Sequence, residues 1–318
     1  MLMPKKKPVN GEYRIKMNNY IEHKVTFSDR FENIFVKAAL LLRGSRKLFS
    51  NETEADKYIE KAKSENYVFS PGQNFSCRVS KKRLFETEYA VFEPNENEKE
   101  QAKTTVLYLH GGAYVRHMTK LHLKLVDRLC KKSHARFIVP AYLTAPKHGF
   151  SESASQIAAI YEKETKESEK AIIAGDSCGG AIGVCILPLL SKKPDMLLLF
   201  SPLLKHEIIG HEETEKLSLK DPMFGGTKGL FKFINCWEKE TVLSDPMKND
   251  FSFLPKTYVF TSKGDMLSVG CFDFFEKAKE SGADITLEIW DKMFHDFVLY
   301  PLPCSKALLN RAAELIGK

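Results

Sequence analysis

The sequence lacks the features of a chain that enters or crosses a membrane. None of its apolar runs approaches the about 18 residues that a transmembrane helix needs. The first residues, MLMPKKKPVNGEYRIK, contain lysines but no apolar stretch behind them, which does not fit a secretory signal. We therefore expect a cytoplasmic protein without stable insertion into a membrane.

Cysteine pairs at metal-binding spacing are also missing. The chain has seven cysteines, an odd number, and they are scattered without a C-x-x-C pair. This pattern argues against a disulfide framework and against a zinc ribbon. Free thiols in a reducing compartment fit it better.

Positive charge is in excess but is not concentrated. The net charge is +7, and the basic clusters are short, separated and close to predicted element boundaries. No basic stripe interleaved with aromatic residues is present. The charge is therefore typical of a solvated surface, and no nucleic-acid partner is expected.

Alternating strand and helix signals begin at about residue 75. An antiparallel pair over NFSCRVS and RLFETEYAVFEP is followed by six strands, several of them nearly continuous apolar runs. Such runs are typical of strands buried on both faces of a parallel sheet. The strands are predicted at 104–110, 135–142, 170–175, 195–204, 257–265 and 284–290, and the helices at 117–133, 151–168, 178–190, 268–281 and 303–316. This alternation predicts an open α/β sheet.

Two stretches interrupt the alternation. Residues 1–74 are predicted to be mostly helical, and residues 205–250 are too long for an ordinary connection between strands. We interpret both as parts of a helical cap over a catalytic domain formed by residues 75–318. An independent N-terminal domain is the alternative.

A potential nucleophile lies in the G-x-S-x-G string Gly175-Asp176-Ser177-Cys178-Gly179. The string follows the strand AIIAG and precedes a helical run, where a sharp turn would expose the Ser177 hydroxyl above the sheet. Glycine on either side lets strand and helix approach closely. A phosphate-binding turn is the alternative, but the G-x-G-x-x-G spacing and a P-loop lysine are missing.

An earlier strand ends in LHGGAY, which places Gly111 and Gly112 beside its carboxyl end. Acyl-transfer intermediates carry an oxyanion that needs preorganised N–H donors. The N–H groups of Gly111, Gly112 and Cys178 are the predicted donors. Taken alone, the two glycines would also fit a plain turn.

A serine nucleophile needs a base and an acid that orients it, in the chain order Ser, acid, His. Three histidines follow Ser177: His206 and His211 fall in the predicted cap, and His295 follows the predicted strand 284–290 after a short loop. Asp265 follows the preceding strand and is the predicted acid. Its competitors are Asp273, Asp291 and Asp296.

Taken together, these motifs resemble the α/β-hydrolase fold, and within it the hormone-sensitive-lipase-like carboxylesterases. HGGAY, AYLTAPKHGF, GDSCGG, KDPMF, GDML and the segment ending in HDF are similar to that family's motifs in the same order. The resemblance covers residues 85–318 and implies a mostly parallel eight-stranded sheet with a helical cap. It also implies a triad of Ser177, Asp265 and His295.

The resemblance further implies the reaction. We expect hydrolysis of carboxylic esters with short to medium acyl chains through an acyl-enzyme, without metal or organic cofactor. Three alternatives remain. The same triad could cleave amides or peptides or remove acetyl groups, the protein could be a non-catalytic receptor, or Cys178 could be the reactive group. A homodimer is an open option. Departures from the family pattern at His117, Ala141 and Lys147 bear on the substrate class.

Overall fold

The structure is a computed structural model of the 318-residue chain. It describes residues 19–42, 44–65, 67–72, 74–95, 103–207, 211–237 and 242–318. Residues 1–18 of the predicted N-terminal cap segment therefore lie outside the described residues, as do small parts of the predicted insertion. The division into 1–74 and 75–318 remains a prediction.

Nine strands form one sheet in the described chain, in the order β1-β9-β8-β7-β6-β4-β5-β3-β2. All neighbours are parallel except β2 with β3 and β3 with β5. The strands are β1 (Tyr20–His23), β2 (Arg78–Leu84), β3 (Thr87–Glu93), β4 (Thr104–Leu109), β5 (Arg136–Pro140), β6 (Lys170–Asp176), β7 (Met196–Phe200), β8 (Lys256–Ser262) and β9 (Ile285–Trp290). The predicted mostly parallel α/β sheet and its antiparallel hairpin are confirmed.

The ninth strand differs from the prediction. Eight strands were expected, and residues before 75 were expected to be mostly helical. Tyr20–His23 instead pairs in parallel with Leu287–Trp290, at the edge of the sheet. This strand has only four residues, too few to show the alternation from which strands are predicted, and β9 supplies its hydrogen-bonding partners.

Helices cover both faces of the sheet. Along β4, Val106 and Tyr108 pack in one apolar cluster while Leu107 and Leu109 pack in another, as the two-residue period of a strand requires. The flanking helices are α4 (Lys120–Ser133), α5 (Phe150–Thr165), α6 (Cys178–Cys185), α9 (Ser268–Glu280) and α10 (Pro303–Ile316). In the described ranges, no helix is both long and apolar enough to span a bilayer.

A further group of helices comes from the two predicted cap stretches. These are α1 (Phe27–Leu42), α2 (Ser45–Ser50) and α3 (Glu52–Ser64) near the N-terminus, with α7 (Glu212–Lys220) and α8 (Lys228–Trp237) in the insertion. Helix α8 packs against α2 and α3. A Cβ atom on Gly229 would collide with the Leu48 carbonyl oxygen and come within 2.8 Å of the Phe49 carbonyl carbon. The two backbones are therefore in direct contact.

We predict that Gly229→Ala destabilises the protein. The added methyl group has backbone atoms in its way and would force α8 away from α2, at a cost of about 1–3 kcal/mol. Thermal unfolding measures this effect. Lys228→Ala, at the exposed neighbouring position, is the control and should leave the melting temperature nearly unchanged. Equal melting temperatures for the two variants would contradict this packing.

Candidate active site

Ser177 lies in a tight turn between β6 and α6. Its backbone has φ 51° and ψ −123°, outside the regions that side chains ordinarily adopt, and the residue is 7% exposed. The flanking glycines allow this turn. A Cβ atom on Gly175 would lie 2.6 Å from the Gly179 carbonyl carbon, and one on Gly179 would lie 2.7 Å from the His110 carbonyl oxygen. Strand, helix and the preceding loop therefore meet without room for a methyl group.

The structure brings the three predicted triad residues together. His295 Nε2 lies 3.1 Å from Ser177 Oγ, and His295 Nδ1 lies 3.0 Å and 3.2 Å from the two carboxylate oxygens of Asp265. Asp265 follows β8, and His295 follows β9 after a four-residue loop. Because both strands are parallel to β6, all three side chains start from the same edge of the sheet.

The other candidate residues occupy different places. His206 is buried and its Nε2 lies 2.7 Å from the Tyr114 hydroxyl, while His211 directly precedes α7. Asp273 forms an ion pair with Lys205 at 2.7 Å. Asp296 does reach His295, but at the other ring nitrogen: its Oδ2 lies 3.1 Å from Nε2. It therefore competes with Ser177 for that nitrogen rather than orienting the ring from Nδ1.

A further carboxylate, that of Asp221, supports the loop that carries His295. Asp221 Oδ2 accepts the backbone N–H of His295 at 3.0 Å. Burial and the neighbouring Asp265 raise the pKa of Asp221 to about 6. Asp221 has no predicted role, although its segment KDPMF belongs to the motifs that carry the resemblance.

The buried charged groups shift one another's pKa values. Burial opposes protonation of His295, but Asp296 and Asp265 outweigh it and hold the pKa of His295 well above its usual range. Burial also raises the pKa of Asp296 to about 7, while His295 acts in the opposite direction. His295 and Asp296 therefore titrate as a coupled pair rather than as independent groups.

The HGG loop, residues 110–112, differs from the prediction in the hydrogen bond that the Gly111 amide makes. The Gly111 N–H donates a hydrogen bond to Asp176 Oδ2 at 2.9 Å. An amide that is bonded to a buried carboxylate is not free to receive an oxyanion, so the predicted role of Gly111 is corrected. Gly111 instead ties the loop to the residue directly before Ser177.

Asp176 is the centre of a buried polar network. Its carboxylate also accepts the Tyr108 hydroxyl and lies 3.4 Å from His122 Nε2. Burial alone would raise the pKa of Asp176, but His122 and these hydrogen bonds hold it below its usual value. Asp176 is therefore an anion that fixes β4, α4 and the HGG loop relative to one another.

Two loop amides and one helix amide remain near Ser177. Among the described residues, the N–H groups of Gly112 and Ala113 have no hydrogen-bond acceptor. Cys178 is the first residue of α6, where an amide has no partner within the helix. Its side chain points elsewhere, because Sγ accepts the Tyr114 N–H at 3.2 Å. Burial raises the pKa of the Cys178 thiol to about 12, so it is neutral at physiological pH.

Ser177 opens into a cavity of about 630 Å³ between the sheet edge and the cap helices. Among the aromatic residues of the insertion, Phe224 lines this cavity, with its ring centre 4.9 Å from that of His295. Phe233 and Trp237 are buried in the core instead, where Trp237 stacks on Tyr114 at 4.9 Å. Other apolar side chains lining the cavity are Leu40, Leu48, Phe49, Ala113, Leu121, Leu203, Met223, Leu230, Leu267 and Leu299.

A group of possible metal ligands lies apart from this site. Within the described ranges, Glu86, His148 and Glu152 come close enough to share one ion. Glu86 and His148 line a separate surface pocket, which Ser177 does not line. These three residues are therefore not part of the site around the serine.

Comparison with known sequences identifies a family. The family model described as alpha/beta hydrolase fold matches residues 106–299. "Arylacetamide deacetylase-like 3" of Homo sapiens is 27% identical over 135 residues, which are 40% of this chain and 32% of that protein. "Carboxylesterase/phospholipase LipF" of Mycobacterium tuberculosis is 24% identical over 249 residues, which are 73% of this chain and 66% of that protein. These matches thus cover about a third and just under two thirds of the two relatives.

Solved structures share the fold. An esterase from the bacterial hormone-sensitive lipase family superposes with a TM-score of 0.75 at 19% identity, covering 90% of this chain and 97% of the other. An esterase/lipase from an uncultured bacterium superposes with a TM-score of 0.74 at 22% identity and the same coverage. Since the family model matches more than half of the residues, this chain belongs to the α/β-hydrolase family.

Proposed function

We propose that this protein is a serine hydrolase that cleaves carboxylic esters with short to medium acyl chains through an acyl-enzyme. The observation that carries the proposal is the continuous contact from Ser177 Oγ through His295 to the Asp265 carboxylate, at the floor of a largely apolar cavity. A nucleophile, a base and an acid that orients the base are the parts that acyl transfer requires. Relatives named as an esterase and as a carboxylesterase/phospholipase support the ester as substrate.

In the first half of the reaction, Ser177 Oγ attacks the ester carbonyl carbon while His295 Nε2 takes its proton. Asp265 accepts the Nδ1–H of His295, which fixes the tautomer and stabilises the imidazolium that forms. The alcohol leaves with the proton held at Nε2, and the acyl group stays on Ser177. A water then attacks the acyl carbonyl carbon and gives a proton to His295. The bond to Ser177 Oγ breaks, the acid leaves, and His295 returns the proton to Oγ.

The oxyanion of the tetrahedral intermediate needs N–H donors that are already in place. We propose the amides of Gly112, Ala113 and Cys178 for this role. Gly112 and Ala113 line the cavity beside Ser177, and their N–H groups are not used by other described residues. Ala113 takes the place predicted for Gly111, because the Gly111 amide is bonded to Asp176.

The two adjacent candidate nucleophiles should respond differently to substitution. Ser177→Ala removes the attacking oxygen and should lower kcat for 4-nitrophenyl butyrate by about 10⁴–10⁶-fold. Cys178→Ala keeps the backbone amide and loses the sulfur contacts with the Tyr114 N–H and the Tyr142 hydroxyl, so it should cost far less. A fluorophosphonate probe should label the wild type and Cys178→Ala but not Ser177→Ala. Equal losses in both variants would contradict the proposed roles.

Acyl-chain selection should depend on Phe224. Its ring packs against Phe49 at 5.1 Å and against His295, so it limits the space beside the serine. Phe224→Ala, or the milder Phe224→Leu, should move the maximum of kcat/KM toward longer chains in a series of 4-nitrophenyl esters from acetate to decanoate. Phe231→Ala, on a half-buried side chain of α8 outside the cavity lining, is the control. An unchanged optimum in both Phe224 variants would remove this residue from the acyl pocket.

The pH dependence of kcat/KM should depend on Asp296, the second carboxylate that contacts His295. Only neutral His295 can take the proton of Ser177, so kcat/KM should rise with pH through the pKa of His295. Asp296 holds that pKa high. Asp296→Asn removes the negative charge, lowers the pKa of His295 and should move the acidic limb of the profile to lower pH. Asp291→Asn, in the same loop but only partly buried, is the control, and an unmoved limb in Asp296→Asn would refute the coupling.

A further inference from the structure

One wall of the serine cavity is cationic. The segment between the HGG loop and the first turn of α4 contributes Arg116, His117 and Lys120 to the lining of the cavity that also contains Ser177. Arg116 is half-buried and Lys120 is exposed at its edge. The rest of the lining is mostly apolar, so these two cations form a positively charged strip on one wall of the cavity.

In the described ranges, the Glu65 carboxylate acts on Tyr58 and His117 beside this strip but forms no ion pair with its two cations. Within the described part of the chain, neither Arg116 nor Lys120 has an acidic group at ion-pair distance. Asp296 is the acidic residue among the described lining residues, and it is engaged with His295. Arg116 lies instead beside the hydroxyl group of Tyr58 on α3, another residue of the cavity lining.

His117 does not add to the positive charge at neutral pH. Its ring stacks on Tyr67 with the ring centres 3.8 Å apart and the planes 8° from parallel. Burial lowers the pKa of His117; the Glu65 carboxylate opposes this shift, and the positive charge of Lys147 acts in the same direction as burial. The charge available to a ligand in this wall therefore comes from Arg116 and Lys120.

We propose that the ester substrate carries a carboxylate, which Arg116 and Lys120 bind while the ester carbonyl meets Ser177. This inference rests on the proposed ester hydrolysis. A guanidinium group offers a planar pair of donors that matches a carboxylate, and an ammonium group adds a positive charge that tolerates different geometries. In a cavity partly shielded from water, such contacts are stronger than on an open surface. The substrate class is thus an ester with an apolar part and one negative charge.

Two matched pairs of esters test the proposal. With the charge on the alcohol side, 4-acetoxybenzoate is compared with neutral 4-acetoxybenzamide. With the charge on the acyl side, the mono-4-nitrophenyl ester of adipic acid is compared with 4-nitrophenyl hexanoate. After division by the alkaline hydrolysis rates, kcat/KM should favour the anionic member of at least one pair by about tenfold or more. This preference should shrink as ionic strength increases.

Charge variants test whether Arg116 and Lys120 cause the preference. Arg116→Gln and Lys120→Gln should each bring the anionic-to-neutral ratio toward one, and Lys120→Glu should reverse it. Lys124→Gln removes an equal charge from an exposed position of the same helix, outside the cavity lining, and should keep the wild-type ratio. Lys120 is exposed, so its variants remain informative if Arg116→Gln fails to fold.

The outcomes separate this inference from the function on which it rests. Hydrolysis of neutral and anionic esters at equal rates in both pairs would overturn the inference and leave the ester hydrolase in place. A preference that survives both Gln variants would also overturn it. If the wild type hydrolysed neither member of either pair and Ser177 failed to react with a fluorophosphonate, the proposed function itself would fall.

Discussion

The site depends on the close packing of β6, α6 and the HGG loop around Ser177. Gly175 and Gly179 leave no space for a side chain where strand, helix and loop meet. This contact permits the unusual backbone angles of Ser177, since the surrounding backbone cannot relax without separating the helix from the sheet. The direction of the serine hydroxyl is therefore determined by backbone packing rather than by side-chain contacts. His295 and Asp265 reach it because their strands run parallel in the same sheet.

A second constraint is electrostatic. Four buried carboxylates lie around the His295 imidazole and the turn that carries Ser177. They belong to Asp176, Asp221, Asp265 and Asp296. Buried negative charges are costly unless they are paired or bonded, so each takes N–H groups, hydroxyls or ring nitrogens of the site. The same contacts that satisfy these carboxylates also hold the loops that carry Gly111 and His295. One set of hydrogen bonds thus both compensates the buried charges and positions the loops.

Most of the fold could be predicted from sequence because its signals are local. Buried parallel strands appear as continuous apolar runs, and the elements predicted at 104–110, 170–175 and 284–290 agree with β4, β6 and β9 within a few residues. The four-residue strand β1 carries no such signal and depends on a partner far away in the chain. Tertiary pairing decides elements of that length.

The site was predictable in its composition but not in all of its contacts. The order of the motifs identified Ser177, Asp265 and His295 as the candidate triad, and the structure places them within hydrogen-bonding distance. Which loop amide faces the serine depends on backbone directions in a turn with positive φ at Gly112, Ala113 and Tyr114. The same holds for Asp296, whose left-handed backbone turns its carboxylate toward Nε2. A linear sequence shows residue types and spacing, but not these directions.

Strand β1 also bears on how two copies of this protein could associate. It covers the edge of β9, and behind it Glu288 is buried and bonded to His23 and Arg311. Open strand edges invite pairing with another chain, and proteins commonly protect them with short edge strands. A dimer built by joining sheets at this side would have to pair through the four residues of β1.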